Sequence, residues 1–196
     1  MVESPKGRDE LVEVAVDLFA KNGFAGTSIR DIAAAVGRSV SNVYHYFENK
    51  EALWLAILEY SVKALPEKLH AALADKQDPL ERLTALVRAH LEASVQHHRE
   101  SKIFFIDEER LSPMGKRANR RVQKEVLEIY VGEIERLKAA GIVRTDETKI
   151  MAFNVLGVVN WHLRWFRPVG KLKEEQVFNE IIGFIMRAVR EAPPGS

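Results

Sequence analysis

Apolar residues recur at helical spacing along almost the whole chain, and no stretch alternates strictly between apolar and polar positions with the β-branched residues that a strand favours. The pattern predicts an all-α fold. Leu11, Val14, Ala15, Leu18 and Phe19 form one stripe over about Arg8–Asn22, and Gly23 stands where a left-handed cap would end that helix. Thr27 and Ser28 each offer a side-chain oxygen to cap a second helix. Asp31 suits its positive N-terminus, and Gly37 closes it after about two turns. Ser39 can cap a third short helix that ends near Tyr46. A long helix is expected from Lys50 to about Ala74, with a kink or break at Pro66. Pro79 opens the next helix, which runs to about His98, and a shorter one covers about Ser101–Leu111. Further helices are expected over about Gly115–Ala140, from Thr145 to about Arg167, and over about Glu174–Glu191, before a Pro-Pro-Gly-Ser tail read as disordered. The expectation is about nine helices.

Composition narrows the function. The chain has 196 residues, 46% hydrophobic and 29% charged, which suits one or two compact domains. Its 29 Lys+Arg and 28 Asp+Glu leave a net charge of +1, so any contact with nucleic acid has to come from placed groups and not from a polycationic field. The absence of cysteine excludes disulfides, cysteine zinc sites, iron–sulfur clusters and thiol nucleophiles. MVESPKGRDE lacks the apolar stretch of a secretory signal. The run Ile150–Phe166, interrupted by Asn154, Asn160, His162 and Arg164, falls short of a bilayer span. A cytoplasmic protein with no membrane partner is expected.

The second and third helices, Ser28–Val36 and Ser39–Tyr46 around Gly37-Arg38, have the spacing of a helix-turn-helix, whose second helix enters the DNA major groove. Ile29, Ile32, Ala33, Val36, Val43 and Phe47 can pack against Leu18 and Phe19. Val40, Ser41, Asn42, Tyr44, His45 and Tyr46 are left to divide between core and groove. Hydroxyl, amide and imidazole groups there can meet base edges and phosphates.

Over about Arg8–Leu58 the chain resembles the tetracycline-repressor (TetR) family of bacterial regulators. The motifs are A-x-x-L-F-A-x-x-G-F at Ala15–Phe24, T-S-I-R-D-I-A at Thr27–Ala33, V-G-x-S at Val36–Ser39 and V-Y-H-Y-F-x-N-K-E-x-L at Val43–Leu53. The resemblance implies a DNA-reading domain over 1–49 and an effector-binding and dimerisation domain over 50–196. It implies that Thr27 caps the second helix near a phosphate, that Tyr44 and His45 contact DNA from the recognition helix, and that Lys50 meets the backbone. Ser28, Arg38, Ser39, Val40, Ser41 and Asn42 complete the candidate DNA-binding set. Val40-Ser41 stands where relatives often carry Lys-Gly, and Arg38 where Val is common, so the operator sequence is left open. Residues 1–50 hold 6 Lys+Arg and 7 Asp+Glu, which predicts a modest salt dependence per subunit and a need for two subunits.

The rest of the chain is expected to hold a small hydrophobic effector and to form a homodimer, with no cofactor and no metal. His90, Ser94 and His97 at i, i+4 and i+7, together with Asn154, Trp161 and Trp165, are candidate pocket residues. Phe178, Ile181, Ile182 and Ile185 are the candidate dimer face, in a four-helix bundle built by the last two helices of two subunits. The segment ending Trp165-Phe166-Arg167-Pro168-Val169-Gly170 resembles a W-x-R-P-x-G stretch of TetR relatives that sense acyl-CoA thioesters. On that reading Arg120 and Arg121, on a basic helix face with Arg117 and Lys124, would meet the CoA phosphates. The alternative is a multidrug-type sensor of aromatic or cationic compounds. An enzyme is disfavoured: Glu67-Lys-Leu-His70 is the one Glu-x-x-His of a di-iron bundle, and no nucleophile-elbow, zincin or phosphate-loop motif occurs.

Overall fold

The computed structural model describes residues 5–61, 64–106, 112–167 and 170–190. Among the described residues every regular element is helical: α1 (Pro5–Asn22), α2 (Ile29–Ala35), α3 (Val40–Tyr46), α4 (Lys50–Ser61), α5 (Leu65–Leu73), α6 (Pro79–Gln96), α7 (His98–Ile106), α8 (Pro113–Ala139), α9 (Thr148–Trp165) and α10 (Glu174–Arg190). That is ten helices where about nine were expected. Pro66 accounts for the difference, because the chain restarts as α5 at Leu65 and places the proline in its first turn, where a missing N–H costs nothing. The end expected near Leu111, Pro168-Val169 and the C-terminal tail lie outside the described residues. None of the described helices is long and apolar enough to cross a membrane.

The chain divides into two compact units, Met1–Ala64 with His97–Val122, and Leu65–Gln96 with Gln123–Ser196. The first is built on α1, whose stripe Leu11, Ala15, Val16 and Phe19 is buried with Ile32 and Ala33 of α2, Val43 of α3, and Leu53, Trp54 and Ile57 of α4. Phe19 and Phe24 tilt against each other at 5.4 Å, closing the end of this core. Since α4 shares the core, packing carries the unit past residue 49. Helix α7 packs on α1 and α4, burying Ile103, and Arg99 ion-pairs with Asp17. Ser112 Oγ and the Gly115 N–H both donate to Glu51 Oε1, at 2.6 and 3.0 Å, fixing the start of α8 to α4.

In the second unit, α6 packs on α5, α9 and α10. Its core draws Leu83, Leu86, Val87 and Leu91 from α6, Ile134 and Leu137 from α8, Val155, Val159 and Leu163 from α9, and Phe178, Ile182, Ile185 and Val189 from α10. Arg82 and Glu133 form a two-pronged pair at 2.7 Å on each prong. Arg82 also donates to the carbonyls of Leu73 and Lys76. Four bonds on one guanidinium fasten α6 to α8 and to the end of α5, and Glu133 raises the pKa of Arg82.

Gly37 sits at φ +65°, in the left-handed region that the turn between α2 and α3 requires. Gly37→Ala is therefore expected to destabilise the first unit by about 1–2 kcal/mol, read as a lower urea midpoint with an unchanged m-value.

Candidate nucleic-acid interface and the buried polar cluster

The two short helices of the first unit are each fixed at the N-terminus by a serine. The Ser28 side chain accepts from the Asp31 N–H while Asp31 accepts from the Ser28 N–H at 2.7 Å, a reciprocal capping box. That exchange lowers the pKa of Asp31, the Ser28 side chain contributing most. Ser39 accepts from the Asn42 N–H at the start of α3. The cap of α2 is thus Ser28 and not Thr27. Thr27 is buried one residue earlier, its hydroxyl within bonding distance of the Leu18 and Gly23 carbonyls, so it ties the end of α1 to the loop.

On α3, Val43 is fully buried and Phe47 follows it into the core, which turns the opposite side outward. Ser41, Tyr44 and His45 are exposed, Tyr44 by 52%. Val40 and Asn42 are half-buried, as is Tyr46, which meets the His45 ring edge-on at 5.3 Å. Arg38 and Asn42 are engaged within the protein: Arg38 Nη2 lies 2.6 Å from Glu10 Oε2 and Nη1 lies 3.4 Å from Asn42 Oδ1. Lys50 also serves the fold, donating to the carbonyls of Phe24 at 2.5 Å and Thr27 at 2.8 Å, with its ammonium 4.3 Å from the centre of the Phe24 ring. Sequence reasoning missed Arg30, exposed on α2 beside Ser28, Val40 and Tyr44 on one concave surface. Its position opposite the buried Ile29 and Ile32 was the available signal.

The candidate pocket residues divide differently from the expected rows. His90 and Ser94 are buried in α6, but α6 ends at Gln96, so His97 leaves their face and its Nδ1 stands 4.0 Å from Glu100. The Ser94 hydroxyl is used locally, donating to the His90 carbonyl at 2.7 Å. His90 Nδ1 meets Tyr130 Oη of α8 at 3.0 Å, and their rings lie 5.8 Å apart. His162 of α9, buried with Nδ1 bonded to the Val159 carbonyl, is close enough to disfavour charge on His90. Burial chiefly, and His162 second, push the His90 pKa down to about 3, and burial raises that of Tyr130. Tyr130 and His162 were not singled out in the sequence: one sits among aliphatic residues of a long helix, the other among the interruptions of an apolar run.

Asn154, Trp161 and Trp165 are exposed on α9 and do not join this cluster. Conversely Phe178, Ile181, Ile182 and Ile185, expected at a dimer interface, are covered within the single chain because α10 turns its whole apolar stripe inward. The exposed large apolar side chains of the last two helices are Ile150, Phe153, Trp161, Trp165 and Phe184. Arg120 and Arg121 are exposed on α8 with Arg117, and Lys124 pairs with Glu128 at 3.6 Å.

A capped helix-turn-helix presenting polar side chains from its second helix, on a chain whose other described elements are all helices, defines a DNA-binding transcriptional regulator. Comparison with known proteins agrees. The profile described as bacterial regulatory proteins, tetR family, matches residues 11–57, and that of the tetracyclin repressor-like C-terminal domain matches residues 76–189. The chain belongs to the TetR family of bacterial regulators, and it is not an enzyme. It is 29% identical to the HTH-type transcriptional repressor KstR2 of Mycolicibacterium smegmatis over 188 residues, covering 94% of this chain and 91% of that one. The structure of the ketosteroid transcriptional regulator KstR2 of Mycobacterium tuberculosis superposes with a TM-score of 0.85 at 26% identity, covering 95% and 96% of the two chains. That of AibR in complex with isovaleryl coenzyme A and operator DNA superposes with a TM-score of 0.82 at 27% identity, covering 91% and 97%.

A neutral buried His90 makes stability depend on pH. Between the unfolded pKa near 6.5 and the folded value of about 3, the unfolded chain binds the extra proton, so stability is full above pH 6.5 and falls as pH drops through that window. The contribution approaches about 1.4 kcal/mol per pH unit. Urea unfolding from pH 7 to pH 4 should show this slope, and His90→Gln should remove that residue's share.

Proposed function

We propose that this protein is an effector-released transcriptional repressor that binds a palindromic operator as a homodimer. Residues 1–49 read DNA and 50–196 bind the effector and the second subunit. The observation that supports the DNA reading most is the orientation of α3, with Val43 and Phe47 in the core and Ser41, Tyr44 and His45 outside. In this reading α3 enters the major groove. Ser28, Ser39 and Arg30 flank the phosphates, Val40 packs at the groove edge, and Thr27, Arg38, Asn42 and Lys50 support the helix.

The second subunit covers the exposed Ile150, Phe153, Trp161 and Trp165 of α9 with Phe184 of α10, since large apolar side chains gathered on a surface favour association over contact with water. The effector is a small hydrophobic compound, and the class we favour is an acyl-CoA thioester. AibR, similar over nearly its whole length, is named with isovaleryl coenzyme A. In this chain the apolar second unit holds a neutral His90 bonded to Tyr130, hydrogen-bonding groups suited to an uncharged oxygen such as a thioester carbonyl. Binding must favour a dimer whose recognition helices no longer match half-sites about 34 Å apart, because a ligand with equal affinity for both states shifts nothing.

The deciding experiment is a thermal-shift series with acyl-CoA thioesters of graded chain length, the matching free acids, and aromatic and cationic drugs. Thioesters alone should raise the melting temperature by several degrees near saturation, about 2.7 kcal/mol at 100 Kd. Stabilisation by the drugs alone would replace the acyl-CoA reading with that of a multidrug-type sensor. On duplexes that the wild type selects from a randomised pool, the double substitution Tyr44→Ala, His45→Ala should weaken binding by about 2–4 kcal/mol if each side chain reads a base. Phe153→Glu with Trp161→Glu should give a monomer in sedimentation and lose operator binding.

A further inference from the structure

The turn of the helix-turn-helix carries a cation that the protein neutralises itself. Arg38 directly precedes the cap of α3, where a guanidinium could meet the phosphates beside the groove. Its two terminal nitrogens are instead held by two different helices, by Glu10 of α1 at 2.6 Å and by Asn42 of α3 at 3.4 Å. The fit continues through Gly7, which is buried: a Cβ there would lie 2.7 Å from Tyr46 Oη and 3.2 Å from Arg38 Nη1. The missing side chain lets the first turns of α1 close on the turn and on α3 together. At the next residue, the Arg8 guanidinium stands 5.3 Å from the centre of the Phe47 ring. Two ends of the recognition helix are thereby referred to one short segment, Gly7–Glu10.

We propose that Glu10 is a specificity-determining residue that acts through Arg38, and that Arg38 is a positioning residue which does not contact DNA. The inference rests on the DNA-binding reading of α3. Sequence-independent affinity for DNA comes from cations that displace counterions from phosphates, so each cation withheld lowers binding to every sequence alike. Sequence-specific affinity depends on the angle at which α3 presents Ser41, Tyr44 and His45. By occupying Arg38, Glu10 does both: it removes one non-selective contact and holds the selective helix in place. The ratio of specific to non-specific binding rises on both counts. An isolated ion pair at the surface would yield easily to a phosphate. Here the second bond to Asn42 and the close approach at Gly7 hold the guanidinium in one place.

The test is the salt dependence of binding to a mixed-sequence duplex of about 30 base pairs, by fluorescence anisotropy, for the full-length wild type, Arg38→Gln, Glu10→Ala, Glu10→Asp and the double variant Glu10→Ala, Arg38→Gln. Arg38→Gln should keep the wild-type slope. Glu10→Ala should steepen it by about 0.9 for each subunit in contact, so that raising salt from 50 to 200 mM weakens this variant about 3.5-fold more per subunit than the wild type. Glu10→Asp should stay near the wild type, and the double variant should return to the wild-type slope. A shallower slope for Arg38→Gln would mean that Arg38 already meets a phosphate, and would overturn the proposal. So would a steep slope retained in the double variant, which would trace the effect to Glu10 repelling DNA. If none of the five proteins, including the wild type, binds the duplex at low salt, the DNA-binding reading falls and this inference with it.

Discussion

The burial of Val43 and Phe47 in the core beneath α1 governs what the first unit can do. A seven-residue helix has no stability of its own in water, because nucleation costs more than two turns of hydrogen bonds return. Helix α3 exists because its inner side, Val43 with Phe47 after it, joins the buried core that includes Phe19, Ile32 and Leu53, and because Ser39 satisfies its first turn. Once Val43 points inward, helical geometry leaves no freedom over the rest: Tyr44 and His45 must face away. Stability and the outward presentation of Tyr44 and His45 are thus coupled through one buried aliphatic side chain.

The second unit solves a different problem. Its core is apolar, yet it carries His90, Tyr130 and His162 from three separate helices, and a buried polar group is costly unless bonded. The His90–Tyr130 bond meets part of that cost, and local bonds from Ser94 and His162 to backbone carbonyls meet more. Desolvation keeps His90 neutral, so its bond with Tyr130 joins directed dipoles in a low-dielectric setting. Arg82 with Glu133 is the contrasting case, charged partners that face each other on two bonds and fasten helices together.

Most of the fold was legible in the sequence because it is written locally. Gly23 and Gly37, the serine caps and the period of apolar residues fix helix ends without reference to distant contacts, and each stands where the spacing places it. What the sequence hid depends on contacts remote along the chain. Glu10 and Arg38 are 28 residues apart, His90 and Tyr130 are 40 apart, and neither pair belongs to a local pattern. Periodicity showed that α9 and α10 are rich in apolar residues but not which side each would spend on its own chain. On α10 the regular stripe went inward, and on α9 the side bearing Trp161 stayed outside, exposed by 62%. The row His90, Ser94, His97 failed for a simpler reason, since one helix end fell a residue too early.

Lys50 shows how narrow the chemical tolerance of a position can be. Its ammonium fits between the carbonyls of Phe24 and Thr27 and over the face of the Phe24 ring, three contacts that suit a compact group with tetrahedral donors. Arginine would bring the same charge as a broad plane with its donors in a fixed fork, a poor match to two acceptors gathered on one side of an aromatic face. The identity of the cation at the start of α4 is therefore set by the shape of the backbone it grips, and reading it as a token of basicity would miss what it encodes.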